Sequence, residues 1–162
     1  MYEVYVLVEK QKSMLLKFTA ICATVGTGIC LLAAAFMPPF LPVCILFGAL
    51  AFVLTRRTIE YEYSYFDGEL RFTKIISKSR RKPIKKYLMD YVQTIAPIED
   101  RSLHNSLKNP NIKVRDLTSG DKSAKVYGIL INIEEGQELI KFEPDEKILD
   151  AICMKYGQKV IR

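Results

Sequence analysis

Residues 59–76 read IEYEYSYFDGELRFTKII. Ile59, Tyr61, Tyr63 and Tyr65 alternate with Glu60, Glu62 and Ser64, the period-two pattern of a strand with one buried face. Asp67-Gly68 supplies the positive-φ residues of a two-residue type I′ turn. With those two residues as the loop, Phe66 faces Glu69, and the later pairs follow: Tyr65 with Leu70, Tyr63 with Phe72, Tyr61 with Lys74, Ile59 with Ile76. One face of the hairpin is then almost wholly apolar, as a half-buried sheet requires.

Toward the C-terminus the pattern continues as sheet. A basic turn at Ser77 to Lys82 leads to a third strand near Pro83 to Leu88, with a fourth at Val92 to Ile98. Glu99 to Pro110 is polar and reads as a loop holding a short helical turn. Ile112 to Thr118, Val126 to Ile133 and Glu138 to Phe142 read as strands, the last entered through a turn at Glu135-Gly136. The ending is helical: Pro144 suits a first turn, Asp145 and Glu146 oppose the positive end of the macrodipole, and Ile148, Leu149, Ile152 and Tyr156 recur at helical spacing before a C-cap at Gly157. Residues 58–162 are thus expected to form one α+β domain, an antiparallel meander closed by an amphipathic helix.

Toward the N-terminus the chemistry changes abruptly. Although the chain of 162 residues is 49% apolar and 26% charged overall, the 38 residues from Phe18 to Thr55 contain no Asp, Glu, Lys, Arg or His. A crossing takes about 20 apolar residues, so this run suits two crossings better than one. Pro38, Pro39 and Pro42 break it at its middle, which predicts helices over about 14–37 and 40–55 within an N-terminal membrane unit, residues 1–57. The second is short. Snorkelling of Arg56 and Arg57 or local thinning of the bilayer meets the deficit, and a re-entrant hairpin is the other solution. Both return the chain to the side it left.

Lys10, Lys12 and Lys17 precede the first helix, Arg56 and Arg57 follow the second, and the connecting loop is uncharged. Positive-inside places both termini in the cytosol of a multi-pass cell-membrane protein, with Lys17, Arg56 and Arg57 as interfacial anchors. A cleavable signal peptide is disfavoured, because the apolar run is too long and a second follows it. Ala20, Thr24 and Gly28 share one stripe and Cys44 and Gly48 another, which reads as the hairpin packing on itself.

These residues resemble a known grouping. IEYEYSYFDGELRFTKIISKSRRKPIKK, TIAPIED and IKFEPDEKILDAI are similar to an uncharacterised family, of a domain of unknown function, of small two-span membrane proteins of clostridia and related Firmicutes. The resemblance covers nearly the whole chain. Two membrane helices, a meander and one C-terminal helix are also similar in layout to bacterial membrane-anchored PH-like domains. That layout implies a PH-like barrel used as a binding module, for lipid headgroups or peptides, without transferring a particular ligand.

Charge is the functional signal native to the sequence. Lys78, Arg80, Arg81, Lys82, Lys85 and Lys86 crowd a stretch with no acidic residue between Leu70 and Met89. A polybasic segment near an anionic leaflet gains roughly 1 kcal/mol per cation that approaches it. The expectation is a scaffold or binding module whose loop contacts anionic lipids of the bilayer, or a protein partner. A solvated turn that merely obeys positive-inside explains the same residues equally well. The alternative function is an accessory subunit assembled through the hairpin.

Other classes find less support. The net charge of +6 is moderate and the strand tyrosines lie on the apolar face, which disfavours nucleic acid. The lone His104, with no C-x-x-C, G-x-S-x-G, phosphate-binding glycine loop or H-E-x-x-H, points to no enzyme, no metal and no cofactor.

Overall fold

A computed structural model describes residues 3–134 and 136–162. The chain divides into two compact units, one comprising Gln11–Thr58 and the other the chain up to Lys10 together with Ile59–Arg162.

The first unit is a helical hairpin. Helix α1 spans Met14–Phe36, with the Ser13 hydroxyl accepting from the Leu16 amide. A 3₁₀ turn at Pro38–Phe40 follows, where the missing proline donors end the helix, and α2 spans Leu41–Arg56. Its seam is lined by small residues: Ala23 and Cys44 are buried, a Cβ on Gly26 would meet the Phe47 ring at 3.4 Å, and one on Gly48 would meet Thr27 at 3.7 Å. The stripe expected at Ala20, Thr24 and Gly28 is displaced. Thr24 and Gly28 are exposed, and nothing lies within 4 Å of a Cβ built on Gly28.

The second unit holds two four-stranded sheets. The first has the order β1 (Val4–Glu9), β2 (Ile59–Phe66), β3 (Glu69–Ile76), β4 (Arg80–Leu88). The β2–β3 register is the one read from the sequence, Phe66 opposite Glu69 through to Ile59 opposite Ile76, around Asp67 and Gly68 at φ 45° and 81°. Strand β1 is a correction to the expected boundary at residue 57. Val4 pairs with Tyr65 and Glu9 with Glu60, so the strand before the hairpin belongs to the sheet domain. The basic turn is also shorter than expected: only residues 77–79 turn, and Arg80–Lys82 already pair with Ile76–Lys74.

A 3₁₀ turn at Met89–Tyr91 carries the chain into the second sheet, ordered β5 (Val92–Pro97), β7 (Tyr127–Ile133), β8 (Gly136–Phe142), β6 (Lys113–Asp116). This sheet is not a meander. Strand β6 lies parallel to β8, because α3 (Arg101–Lys108) carries the chain from β5 to the far edge of the sheet. The expected short helical turn is this two-turn helix, capped by the Asp100 carboxylate on the Ser102 amide. Of the expected Glu135-Gly136 turn, Glu135 lies outside the described residues, while Gly136, at φ 127°, opens β8 opposite Ile133.

The main core lies between the sheets. Tyr63, Phe72 and Phe142 meet edge to face with centroids 5.6–6.0 Å apart. Helix α4 (Glu146–Tyr156) closes it with Ile148, Leu149 and Ile152 and packs against β1 and β2. Asp145 caps α4 by accepting from the Ile148 amide, which leaves Pro144 outside the helix. Gly157 keeps a right-handed conformation and runs into a 3₁₀ turn. A smaller core of Ala96, Leu103, Ile112, Leu130 and Leu139 lies under α3. Sheet two is therefore covered on both faces, and β7 is almost continuously apolar.

Candidate membrane-contact surface

The register of sheet one sorts its charges by face. Val8, Tyr61, Lys74 and Lys82 align across the four strands, and in the last row Ile59, Ile76 and Arg80 align in the same way. Lys10 joins that row: its amide donates to the Ile59 carbonyl at 2.8 Å, and its ammonium lies 3.5 Å from the Tyr61 hydroxyl and 5.7 Å from the ring centroid. In these two rows every charged side chain on the Tyr61 face is cationic: Lys10, Lys74, Arg80 and Lys82. Glu9, Glu60 and Glu62 occupy the intervening positions, which point to the opposite face.

The expected contact residues separate by partner and only partly by face, since Lys85 shares the Tyr61 face through its alignment with Phe72 and Tyr63. Three of them make ion pairs: Arg81 with Glu62 at 3.7 Å, Lys86 with Glu69 at 3.4 Å, and Lys85 with Glu138 at 3.2 Å. Among the described residues Lys78, Arg80 and Lys82 make none, and all three are exposed. Lys10, expected only as a basic residue flanking the first helix, and Lys74, expected only as the partner of Tyr61, are not among the expected contact residues. Only the strand register reveals them, since they stand outside the 78–86 run.

Glu138 does a structural task. Its side chain is 1% exposed and accepts from the Tyr87 hydroxyl at 2.8 Å, Arg115 Nε at 2.9 Å and Lys85 Nζ at 3.2 Å, tying edge strand β4 to β8 and β6. Burial works to raise its pKa, but the three donors outweigh burial and hold the carboxyl below its ordinary value. Burial and the Glu138 charge together push the Tyr87 hydroxyl up. At the exposed pair, hydrogen bonds from Arg71 and Lys86 hold Glu69 low.

Pro83, the register break at Phe72/Thr73 and the lysines of β4 together block addition of a further strand on that edge. A cleft of about 640 Å³ runs beside it, lined by Lys85–Leu88, Tyr91 and Ile131–Glu134.

In the hairpin, Lys17 lies exposed in the first turn of α1, and Arg56 and Arg57 lie exposed at the end of α2, with the Arg56 guanidinium 5.0 Å from the Phe52 centroid. Lys12 donates to the Leu54 and Thr55 carbonyls, which have no partner within α2. Helix α1 is long and apolar enough to cross a membrane, and α2 is a shorter apolar helix.

Two sheets around one core, closed by a C-terminal helix, make this unit a PH-like α+β domain. A family model described as Bacterial PH-like domain (DUF6106) matches residues 2–162, and the chain belongs to that family, whose function is unknown. No curated protein and no solved structure matches the chain.

Proposed function

We propose that the protein is a non-enzymatic, membrane-anchored binding module: the hairpin lies in the bilayer, and the PH-like domain contacts the anionic cytosolic surface. The observation that carries this reading is the inverted polarity of the hairpin. Its seam holds Ala23, Gly26, Cys44 and Gly48, while Phe18, Ile21, Ile29, Leu32, Ile45 and Phe52 face outward and are exposed. A water-soluble helix pair buries its large apolar side chains. A pair in lipid gains nothing from doing so and packs through small residues instead.

Chain length supports the anchoring further. At 1.5 Å per residue α1 is about 35 Å long and α2 about 24 Å, against a hydrocarbon core of about 30 Å. If α1 crosses, the chain must return before residue 59, because Ile59 is hydrogen-bonded to Lys10. This supports two crossings, or a re-entrant loop, with both ends on one side. It does so without appeal to the distribution of basic residues.

The polybasic cluster then acquires a location. Three residues separate Lys10 from α1, and Arg57 and Thr58 separate α2 from β2. At no more than about 3.6 Å per residue, an inserted hairpin holds the Lys10/Ile59 end of sheet one within roughly 15 Å of the membrane surface. The 77–79 turn and Arg80 lie at that end, since Ile76 pairs with both Ile59 and Arg80.

Alkaline extraction of membranes from cells expressing the full chain tests the anchoring. The protein is expected to stay in the pellet at high pH and to be released only by detergent. Release by alkali alone would overturn the anchored reading.

A further inference from the structure

The polarity of the last two rows of sheet one goes beyond a cluster of basic residues. The final row reads Lys10, Ile59, Ile76, Arg80 across four neighbouring strands. Strands lie about 4.8 Å apart, so the two isoleucines sit side by side between two cations separated by roughly 14 Å. Both isoleucines remain partly exposed. Behind them lie Lys74 and Lys82, directly opposite one another, an arrangement of like charges that costs stability in an isolated sheet.

From this we infer that the Tyr61 face of this sheet end is an interfacial seat for an anionic bilayer, rather than the 78–86 run as a whole. Ile76 and the exposed edge of Ile59, which also packs against the core, meet the headgroup region while Lys10, Lys74, Arg80 and Lys82 engage lipid phosphates. The partner is identified by charge complementarity and by polarity. Cations flanking a small apolar centre suit a surface that is anionic outside and apolar a few ångströms beneath. A lipid anion between Lys74 and Lys82 would also relieve their repulsion. Arg81 and Lys86 lie outside the seat, on the opposite face, engaged by Glu62 and Glu69. The inference rests on the membrane-anchored reading and adds to it which face docks and which cations do so.

Hydrogen exchange on the full chain in nanodiscs tests it, comparing pure phosphatidylcholine with phosphatidylcholine containing phosphatidylglycerol. Two variants of equal net charge are compared with the parent: Lys74→Gln with Lys82→Gln, and Arg81→Gln with Lys86→Gln. A Lys10→Gln, Arg80→Gln pair serves as a second probe of the seat. The amides of residues 77–80 are expected to exchange several-fold more slowly with phosphatidylglycerol in the parent and in the Arg81/Lys86 variant. Each seated cation is worth about fivefold, from roughly 1 kcal/mol. Both seat variants are expected to lose the difference. Loss in the Arg81/Lys86 variant with retention in both seat variants would overturn this choice of face while leaving membrane docking intact. No dependence on phosphatidylglycerol in the parent would overturn docking itself.

Discussion

The Lys10 amide donates to the Ile59 carbonyl at 2.8 Å, although the whole helical hairpin lies between the two residues. The hairpin is therefore an insertion between paired strands, and the sheet domain is built from both sides of it. Lys10 faces Ile59 as the ends of a two-residue β-hairpin loop would. A chain in which Gln11–Thr58 is replaced by Asn-Gly is expected to be a soluble, folded monomer by size exclusion and dispersed amide NMR signals. A fragment of residues 58–162 lacks β1, uncovers the edge of β2 and exposes the core beside Val4, Val6 and Val8. That fragment is expected to aggregate.

The Glu138 cluster sets an acid limit on stability. Its folded pKa is depressed, so its contribution is present above the unfolded glutamate value of about 4.3 and is lost as pH falls through the lower folded value. Glu138→Gln is expected to cost on the order of 3 kcal/mol at neutral pH, as for breaking a buried ion pair, and to flatten the acid limb. Urea titrations of the hairpin-deleted domain between pH 7 and 3 check both.

The turn before the basic strand holds a cost that can be removed. Ser77 and Lys78 both have positive φ, 52° and 58°, and the Ser79 amide donates to the Ile76 carbonyl, the geometry that Asn-Gly adopts readily. Replacing Ser77-Lys78 by Asn-Gly is expected to stabilise the domain by about 1–2 kcal/mol, since each left-handed non-glycine residue costs about that much or less. Thermal unfolding of the same domain measures it.

Close approach fixes one further glycine. A Cβ on Gly128 would lie 2.5 Å from a Leu103 methyl and 3.3 Å from one of Ile98, beneath α3. Gly128→Ala is expected to destabilise by about 1–3 kcal/mol through overpacking, with loss of exchange protection concentrated in α3.

What the sequence made legible follows the reach of each signal. The β2–β3 register was readable because an Asp-Gly loop and strict alternation lie next to one another. Strand β1 was not, because Tyr5 and Leu7 are apolar like Val4, Val6 and Val8, which leaves no alternation, and its partner lies beyond the hairpin. Arg80–Lys82 looked like a turn because an edge strand can be fully charged, its ladder resting on backbone bonds to β3. The parallel β6–β8 pair depends on a crossover that no local pattern encodes. Of the candidate contact surface, the polybasic run was visible. That Arg81 and Lys86 share the glutamate face, and that Lys10 and Lys74 align with Arg80 and Lys82, required the register of all four strands.

A bilayer-embedded hairpin of two crossings would put the PH-like domain on one side and the Pro38–Phe40 turn on the other, and a re-entrant hairpin would leave the turn within the bilayer. Labelling with a membrane-impermeant maleimide tests it most directly, using single cysteines at Ser79 or Pro39 in a cysteine-free chain, in membrane vesicles of both orientations. Ser79→Cys is expected to react only in inside-out vesicles, with Pro39→Cys reacting only in right-side-out vesicles or, for a re-entrant hairpin, in neither. Reaction of both positions from the same side, or of Ser79→Cys from the outside, would contradict it.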